Sequence, residues 1–259
     1  MKILITGTNG YIGNHLSNAL DYDITCINRN ICDMVNTQKV DDFFKDKYFD
    51  VVIHCASVGG SRLKEDTEEV LHQNIQMFLN LVKNRNHFDR LIHFGSGAQF
   101  MDTGEYGFSK RIIANIIEEI DNFYNIIIYG LFDENEISTR FIKSCITRCL
   151  NGENIVVNEN KFMDFFHMND LVILVEHYIT VGTPMKSVEC CYNTKMTLKD
   201  IAHKIKDICN SDVDIDYTDT ELKYYTGENT EYLNKIINGN FVDRLEDNIQ
   251  KVIKKLFIN

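Results

Sequence analysis

The chain has 259 residues, is 44% hydrophobic and carries a net charge of −11. That length buries a sizeable core and suits one α/β domain with a smaller appendage. The acidic excess argues against nucleic acid, whose phosphates need clustered Lys and Arg, and no apolar run is long enough to span a bilayer.

Met1 leads straight into an apolar run, with no signal-like stretch, so the N-terminus is expected to belong to the fold and the protein to the cytoplasm. Residues 2–6 read as a buried strand that ends at Gly7. Ile12, Leu16, Ala19 and Leu20 are spaced for a helix over 11–20. A second strand is expected at 24–27, and a helix carrying Val40, Phe43 and Phe44 at 36–47. Val51, Val52 and Ile53 make a strand at 50–54 apolar on both faces, which suits a parallel sheet covered on both sides. A long amphipathic helix follows at 67–83, then a strand at 90–94, a helix at 106–120 and a strand at 125–129. This alternation, with short connections, predicts right-handed βαβ crossovers and a doubly wound sheet.

After Gly130 the pattern changes. Helices are expected at 138–150, 170–179, 197–209 and 241–256, with a short strand at 155–158. Thr197 and Asp200 are placed as N-cap and N3 of a capping box.

Eight cysteines are scattered at 26, 32, 55, 145, 149, 190, 191 and 209, with no C-x-x-C pair. Reduced thiols in a core are expected. Cys145 and Cys149 stand one helical turn apart without partners to complete a ligand set, so no metal is expected.

Gly7, Gly10 and Gly13 sit where the first strand turns into a helix. Gly7 permits the tight turn, Gly10 lets backbone approach a pyrophosphate, and Gly13 lets the helix pack on the sheet. The helix N-terminus then offers unpaired N–H groups and a favourable dipole to the phosphates. The second strand ends Ile27-Asn28-Arg29 where an acidic residue would bind a ribose diol. Arg29 suits a 2′-phosphate and so favours NADP(H); a solvated surface arginine is the alternative. Asp33 is placed beside the adenine.

Tyr106 and Lys110 are spaced i, i+4 on one helix face. A tyrosine hydroxyl titrates near ~10 unperturbed, and a neighbouring ammonium lowers that value. Tyr106 can then exchange a proton with a substrate oxygen, while Ser96, at the end of the fourth strand, polarises the same oxygen.

These segments, from Thr6-Gly7-Thr8-Asn9-Gly10-Tyr11-Ile12-Gly13 through Val52-Ile53-His54-Cys55-Ala56-Ser57, Asn74, Phe94-Gly95-Ser96 and Tyr106-Gly107-Phe108-Ser109-Lys110, resemble the extended short-chain dehydrogenase/reductase family of the nucleotide-sugar, epimerase/dehydratase type. Asp164-Phe165-Phe166-His167-Met168-Asn169-Asp170 resembles a later tract of the same family. The resemblance implies a Rossmann domain that binds NAD(P), over 1–150, and a smaller α/β region that binds a nucleotide-diphosphate sugar, over 151–259 and interleaved with the first. It implies cofactor contacts from Gly7, Asn9, Gly10, Tyr11, Ile12, Ala56, Ser57 and Lys110, and substrate contacts from Ser96, Gly97 and Arg140. Arg140 has a surface charge as its alternative, and Lys161 and Arg148 are weaker candidates of the same kind. Asn74 would brace the site, His54 is expected in the core, and His167 and Asp170 would organise a loop and helix start. A homodimer is implied through the helix at 67–83.

Departures narrow the chemistry. Family dehydratases follow the serine with Asp and Glu, where this chain has Gly97 and Ala98. Val58-Gly59-Gly60 resembles the GDP-fucose synthase group, which epimerises with a cysteine at the position of Ala98 and a later histidine, where this chain reads Thr139-Arg140-Phe141. Nine residues separate Ser96 from Tyr106, a short loop for the family. The expectation is an NADP(H)-dependent reductase of a 4-keto-(6-deoxy) nucleotide sugar. A 4-epimerase with tightly held NAD would use the same three residues. A non-catalytic NADP(H) sensor would need only the glycine turn.

Overall fold

The computed structural model describes residues 1–61, 64–101, 104–182, 184–218 and 220–258, with side chains through 255. The first half runs β1 (Lys2–Thr6), α1 (Tyr11–Ala19), β2 (Asp23–Ile27), α2 (Thr37–Phe44), β3 (Phe49–His54), α3 (Glu68–Lys83), β4 (Phe88–Ser96), α4 (Gly104–Glu118) and β5 (Phe123–Ile128). Next come β6 (Leu131–Phe132), α5 (Phe141–Asn151), β7 (Ile155–Val157), β8 (Lys161–Met163), β9 (Phe166–His167), α6 (Met168–Thr180) and β10 (Ser187–Cys190). The chain closes with α7 (Leu198–Ile208), β11 (Ile215–Tyr217), β12 (Lys223–Tyr225), α8 (Glu231–Ile236) and α9 (Phe241–Ile258). Asp102 and Thr103, in the short loop between Ser96 and Tyr106, lie outside the described residues.

Two compact units divide the chain: Met1–Ile127 with Leu174–Val188, and Ile128–Ile173 with Glu189–Asn259. The division therefore falls at 127/128 and not at 150/151. Helix α5, placed in the first domain by the sequence, packs against α7 in the second unit.

The first unit is built on a six-stranded sheet in the order β10-β5-β4-β3-β1-β2. β1 pairs in parallel with β2 and β3, and β3 with β4. This is the doubly wound Rossmann arrangement expected from the alternation. β1 and β3 are buried almost end to end, as parallel strands covered on both faces must be. On one face, Leu4, Val52 and Leu91 of the sheet meet Val40 and Phe44 of α2, Met77, Phe78 and Leu81 of α3, and Ile113 and Ile117 of α4. Each such large side chain contributes roughly 1.5–3 kcal/mol by leaving water.

Helix α2 is shorter than its apolar spacing suggests. Lys45 leaves helical geometry and Asp46 takes φ +61°, a left-handed conformation that ends a helix. At the other end the Asn36 side chain caps the helix by accepting from the Lys39 N–H at 3.0 Å.

Register sets the sheet's carboxyl edge. Ile27 aligns with Thr6, Thr6 with His54, and His54 with His93. The chain reverses direction across the sheet between β1 and β3, so a crevice opens beyond their carboxyl ends. Gly7 and Cys55 are the next residues along those two strands.

The second unit holds three two-stranded parallel pairs, β11 with β7, β12 with β8 and β6 with β9. The sequence reading named only the strand near 155–158; all of these strands are two or three residues long, too short to show a period. α7 begins with the expected capping box: Thr197 Oγ1 accepts from the Asp200 N–H at 3.1 Å, and Asp200 Oδ2 accepts from the Thr197 N–H at 3.1 Å.

Candidate active site

The glycine turn closes on itself after β1. Gly7 has φ +69°, and a Cβ there would lie 2.6 Å from the Ala56 nitrogen. A Cβ on Gly13 would lie 2.5 Å from the Gly7 carbonyl oxygen. Only glycine admits both the left-handed turn and these approaches. The Gly10 N–H donates to the Gly7 carbonyl at 2.9 Å, while Gly10 itself is exposed. Gly10 is the N-cap of α1, with no side-chain cap hydrogen bond and no acidic residue in the first turn. A helix start of this kind directs its dipole and N–H groups toward the turn, which fits a dinucleotide pyrophosphate.

Neighbouring strands support the turn. Thr6 Oγ1 is 2.8 Å from His54 Nδ1 and accepts from the Ala56 N–H at 3.2 Å. His54 is therefore a satisfied core residue; burial first, and then the Lys110 charge, push it down to about 3, so it stays neutral. Ala56 is half-buried and Ser57 exposed on this edge. Tyr11 is exposed and Ile12 half-buried at the start of α1.

Asn28, at the end of β2, donates to Asn9 Oδ1 at 3.3 Å and accepts from the Asn30 N–H at 3.0 Å. Arg29 is exposed, and its Nη2 donates to Gln73 Oε1 at 3.3 Å. Gln73 in turn donates to Glu69 Oε1 at 2.6 Å. Asp33 turns back on its own loop and accepts from the Val35 N–H at 3.3 Å.

Ser96 ends β4, and its Oγ accepts from the Ala98 N–H at 3.3 Å, capping the 3₁₀ turn Gly97–Phe100. Gly97 is buried in that turn. Tyr106 and Lys110 lie in the first turns of α4. Lys110 is only 4% exposed. Its Nζ donates to the Phe94 carbonyl at 2.7 Å, stands 3.5 Å from His93 Nε2 and lies 5.6 Å from the centre of the Tyr106 ring. Burial pulls the Lys110 ammonium down to about 8, with Cys55 acting in the opposite sense. His93 is held well below its ordinary value by burial, then by Lys110 and His54. The structure thus gathers Tyr106 and Lys110 around the end of the strand that carries Ser96.

Asn74, which the resemblance placed as a brace, bonds the loop after β3 and a side chain of α4. Its Oδ1 accepts from the Val58 N–H at 2.9 Å, and its Nδ2 donates to the Val58 carbonyl at 3.0 Å and to Ser109 Oγ at 3.1 Å. The sequence reading missed His93 and Gln73, and took Gly60 only as part of the Val58-Gly59-Gly60 resemblance. His93 had a usable signal, a polar residue within the apolar run Leu91–Phe94; Gln73 had none.

The second unit carries the later tract. Asp170 is fully buried and accepts from Arg244 Nε at 2.8 Å and Nη2 at 2.7 Å, and from the Tyr192 hydroxyl at 2.5 Å. The Tyr192 hydroxyl accepts from the His167 N–H at 3.1 Å. Asp164 accepts from Lys195 at 2.5 Å and from the Gly227 N–H at 2.8 Å. Arg140 is exposed at the N-cap of α5. Among the described residues no cluster of His, Cys, Asp or Glu could hold a metal, and no helix is long and apolar enough to cross a membrane.

A doubly wound parallel sheet with a glycine turn after β1 is the Rossmann arrangement of dinucleotide-binding proteins. The chain belongs to the NAD dependent epimerase/dehydratase family, which it matches over residues 3–188. None of the curated proteins matches it significantly. Its fold is similar to that of GDP-mannoheptose C4 reductase from Campylobacter jejuni with NADP bound (TM-score 0.80, 16% identity, 99% of this chain and 98% of that one). It is also similar to dTDP-4-dehydrorhamnose reductase from Bacillus anthracis in complex with NADP (0.78, 17%, 98% and 98%). UDP-glucose 4-epimerase from Thermotoga maritima with UDP-glucose shares the fold as well (0.84, 15%, 99% and 100%).

Proposed function

We propose that this protein is an NADP(H)-dependent reductase of a 4-keto-(6-deoxy) nucleotide sugar. The observation that carries the reading is Lys110, buried beneath Tyr106 and bonded to the strand that ends in Ser96. Family membership and the two NADP-bound reductases that share the fold support it. Bound NADPH supplies the hydride. Tyr106 gives its hydroxyl proton to the sugar's carbonyl oxygen as the carbon is reduced. Ser96 donates a hydrogen bond to that oxygen where negative charge develops. The Lys110 ammonium stabilises the phenolate that remains.

The glycine turn, with Asn9, Tyr11, Ile12, Ala56 and Ser57, is assigned to the dinucleotide. Arg29 is assigned to its 2′-phosphate and Asp33 to the adenine edge. Gly97 and Arg140 are assigned to the sugar nucleotide. Gly97 and Ala98 follow Ser96, so the carboxylates of a dehydratase have no counterpart there. Leu79 on α3 and Phe108 on α4 expose apolar surface on two helices that pack together, which supports a homodimer.

The second reading is a nucleotide-sugar 4-epimerase with retained NAD, favoured by the likeness to the UDP-glucose epimerase. The test is loss of NADPH absorbance, and separately NADH absorbance, with 4-keto-6-deoxy sugars on GDP, dTDP, UDP and CDP. Rapid oxidation with one of them supports the reductase. No oxidation, from protein that releases NAD on denaturation, would move the assignment to the epimerase.

A further inference from the structure

The turn after β3 is built with more constraint than a connecting loop requires. Within it, Val58 is held through both backbone groups by Asn74, which is 3% exposed. The same Asn74 amide holds Ser109, whose hydroxyl donates to the Tyr106 carbonyl at 2.7 Å. Beyond Val58, Gly59 and Gly60 take φ +83° and +69°. The Gly60 N–H donates to both carboxylate oxygens of Asp66, at 2.9 and 3.2 Å.

Close approach explains both glycines. A Cβ on Gly60 would lie 2.9 Å from Cε1 and from Cζ of Tyr106 and 3.1 Å from Cδ1. A Cβ on Gly59 would lie 2.5 Å from Asp66 Oδ1 and from Val70 Cγ1. The Gly60 backbone therefore rests on the phenol ring at the carbon that bears the hydroxyl. Two consecutive left-handed glycines have wide freedom of their own. The carboxylate of Asp66, just ahead of α3, is bonded to this pair at the Gly60 N–H.

We propose that Asp66 is a positioning residue for Tyr106: it closes the Gly59–Gly60 turn through the Gly60 N–H, and the closed turn sets the plane of the phenol ring. The catalytic consequence rests on the function proposed above; the contact does not. A misplacement of about 1 Å in a reacting group costs on the order of 10²-fold in rate, so a ring freed on one face lowers turnover without loosening cofactor binding.

The test uses the full chain with 3-fluorotyrosine placed at position 106 alone, read by fluorine NMR without added ligand. D66A is expected to shift and broaden the resonance. D66N, which keeps one acceptor oxygen for the Gly60 N–H, is expected to match the parent. G60A, which pushes on the ring directly, is expected to shift the resonance with Asp66 intact. A folded D66A whose resonance is unchanged overturns the proposal. If D66A does not fold, an unchanged resonance in G60A overturns it instead. In turnover, D66A is expected to lose about 10- to 100-fold in kcat, with D66N restoring most of it and cofactor Kd unmoved. D66A should add no loss to Y106F, because the two act through one group. A fluorine response as expected, with no keto sugar reduced by the parent enzyme, supports the positioning role and overturns the reductase.

Discussion

Lys110 donates to the Phe94 carbonyl across 2.7 Å from a position that is 4% exposed. A cation so enclosed is sensitive to pH, and burial brings its titration down to about 8. The charged form, present below that value, is the one that stabilises a Tyr106 phenolate. Reductive kcat is therefore expected to fall as pH rises through about 8, and K110M is expected to lose that limb along with most of the rate. A pH–rate profile checks this; a flat profile between about pH 7 and about pH 9 would remove the ammonium from the mechanism.

Tyr106 is the only proton donor assigned to the substrate oxygen. Y106F is expected to lower kcat by about 10²–10⁴-fold while leaving NADPH affinity within about twofold, since the hydroxyl is assigned to the sugar and not to the dinucleotide. Steady-state kinetics with a cofactor titration measure both. Turnover that survives the substitution would sink the assignment.

Arg29 is held by Gln73, itself held by Glu69. If its guanidinium meets a 2′-phosphate, R29A removes a charge-assisted contact worth about 1.5–3 kcal/mol. That corresponds to roughly 10- to 100-fold weaker NADPH binding with NADH unaffected. Calorimetric titration with each cofactor decides it, and equal losses for the two would assign Arg29 to the surface.

In the second unit Glu136 is 5% exposed, and its Oε2 lacks a hydrogen-bond partner among the described residues. Burial pushes it up to about 8, with Arg140 opposing. A raised carboxyl binds its proton more tightly folded than unfolded, so stability falls as pH rises from about 4.5 to about 8. E136Q is expected to remove that slope and to stabilise the protein at alkaline pH by about 1–3 kcal/mol, the usual cost of an unsatisfied buried group. Thermal unfolding across pH reads it directly. A variant with the same slope as the parent would assign the pH dependence elsewhere.

Much of the first unit was legible because its signals are local. A strand that ends at Gly7, a helix face that repeats at i, i+4 and a serine at a strand end are each written within a few residues. Tyr106 and Lys110 could be paired from spacing alone, and the resemblance tied them to Ser96. Apart from β7, the short strands of the second unit were not legible, since two or three residues show no period. β10 gave no warning that it would join the main sheet beside β5.

The sequence by itself determined the doubly wound class, the glycine turn and the tyrosine–lysine pair, because the helix repeat and backbone sterics specify neighbours over one or two turns. Tertiary structure alone decided what surrounds them. It set His93 beside Lys110, rested Gly60 on the Tyr106 ring, and joined Asp170 to Arg244 across 74 residues of chain. Those contacts depend on strand register and on which loops meet after folding, and a propensity or period in one segment carries no information about the partner that packing brings to it.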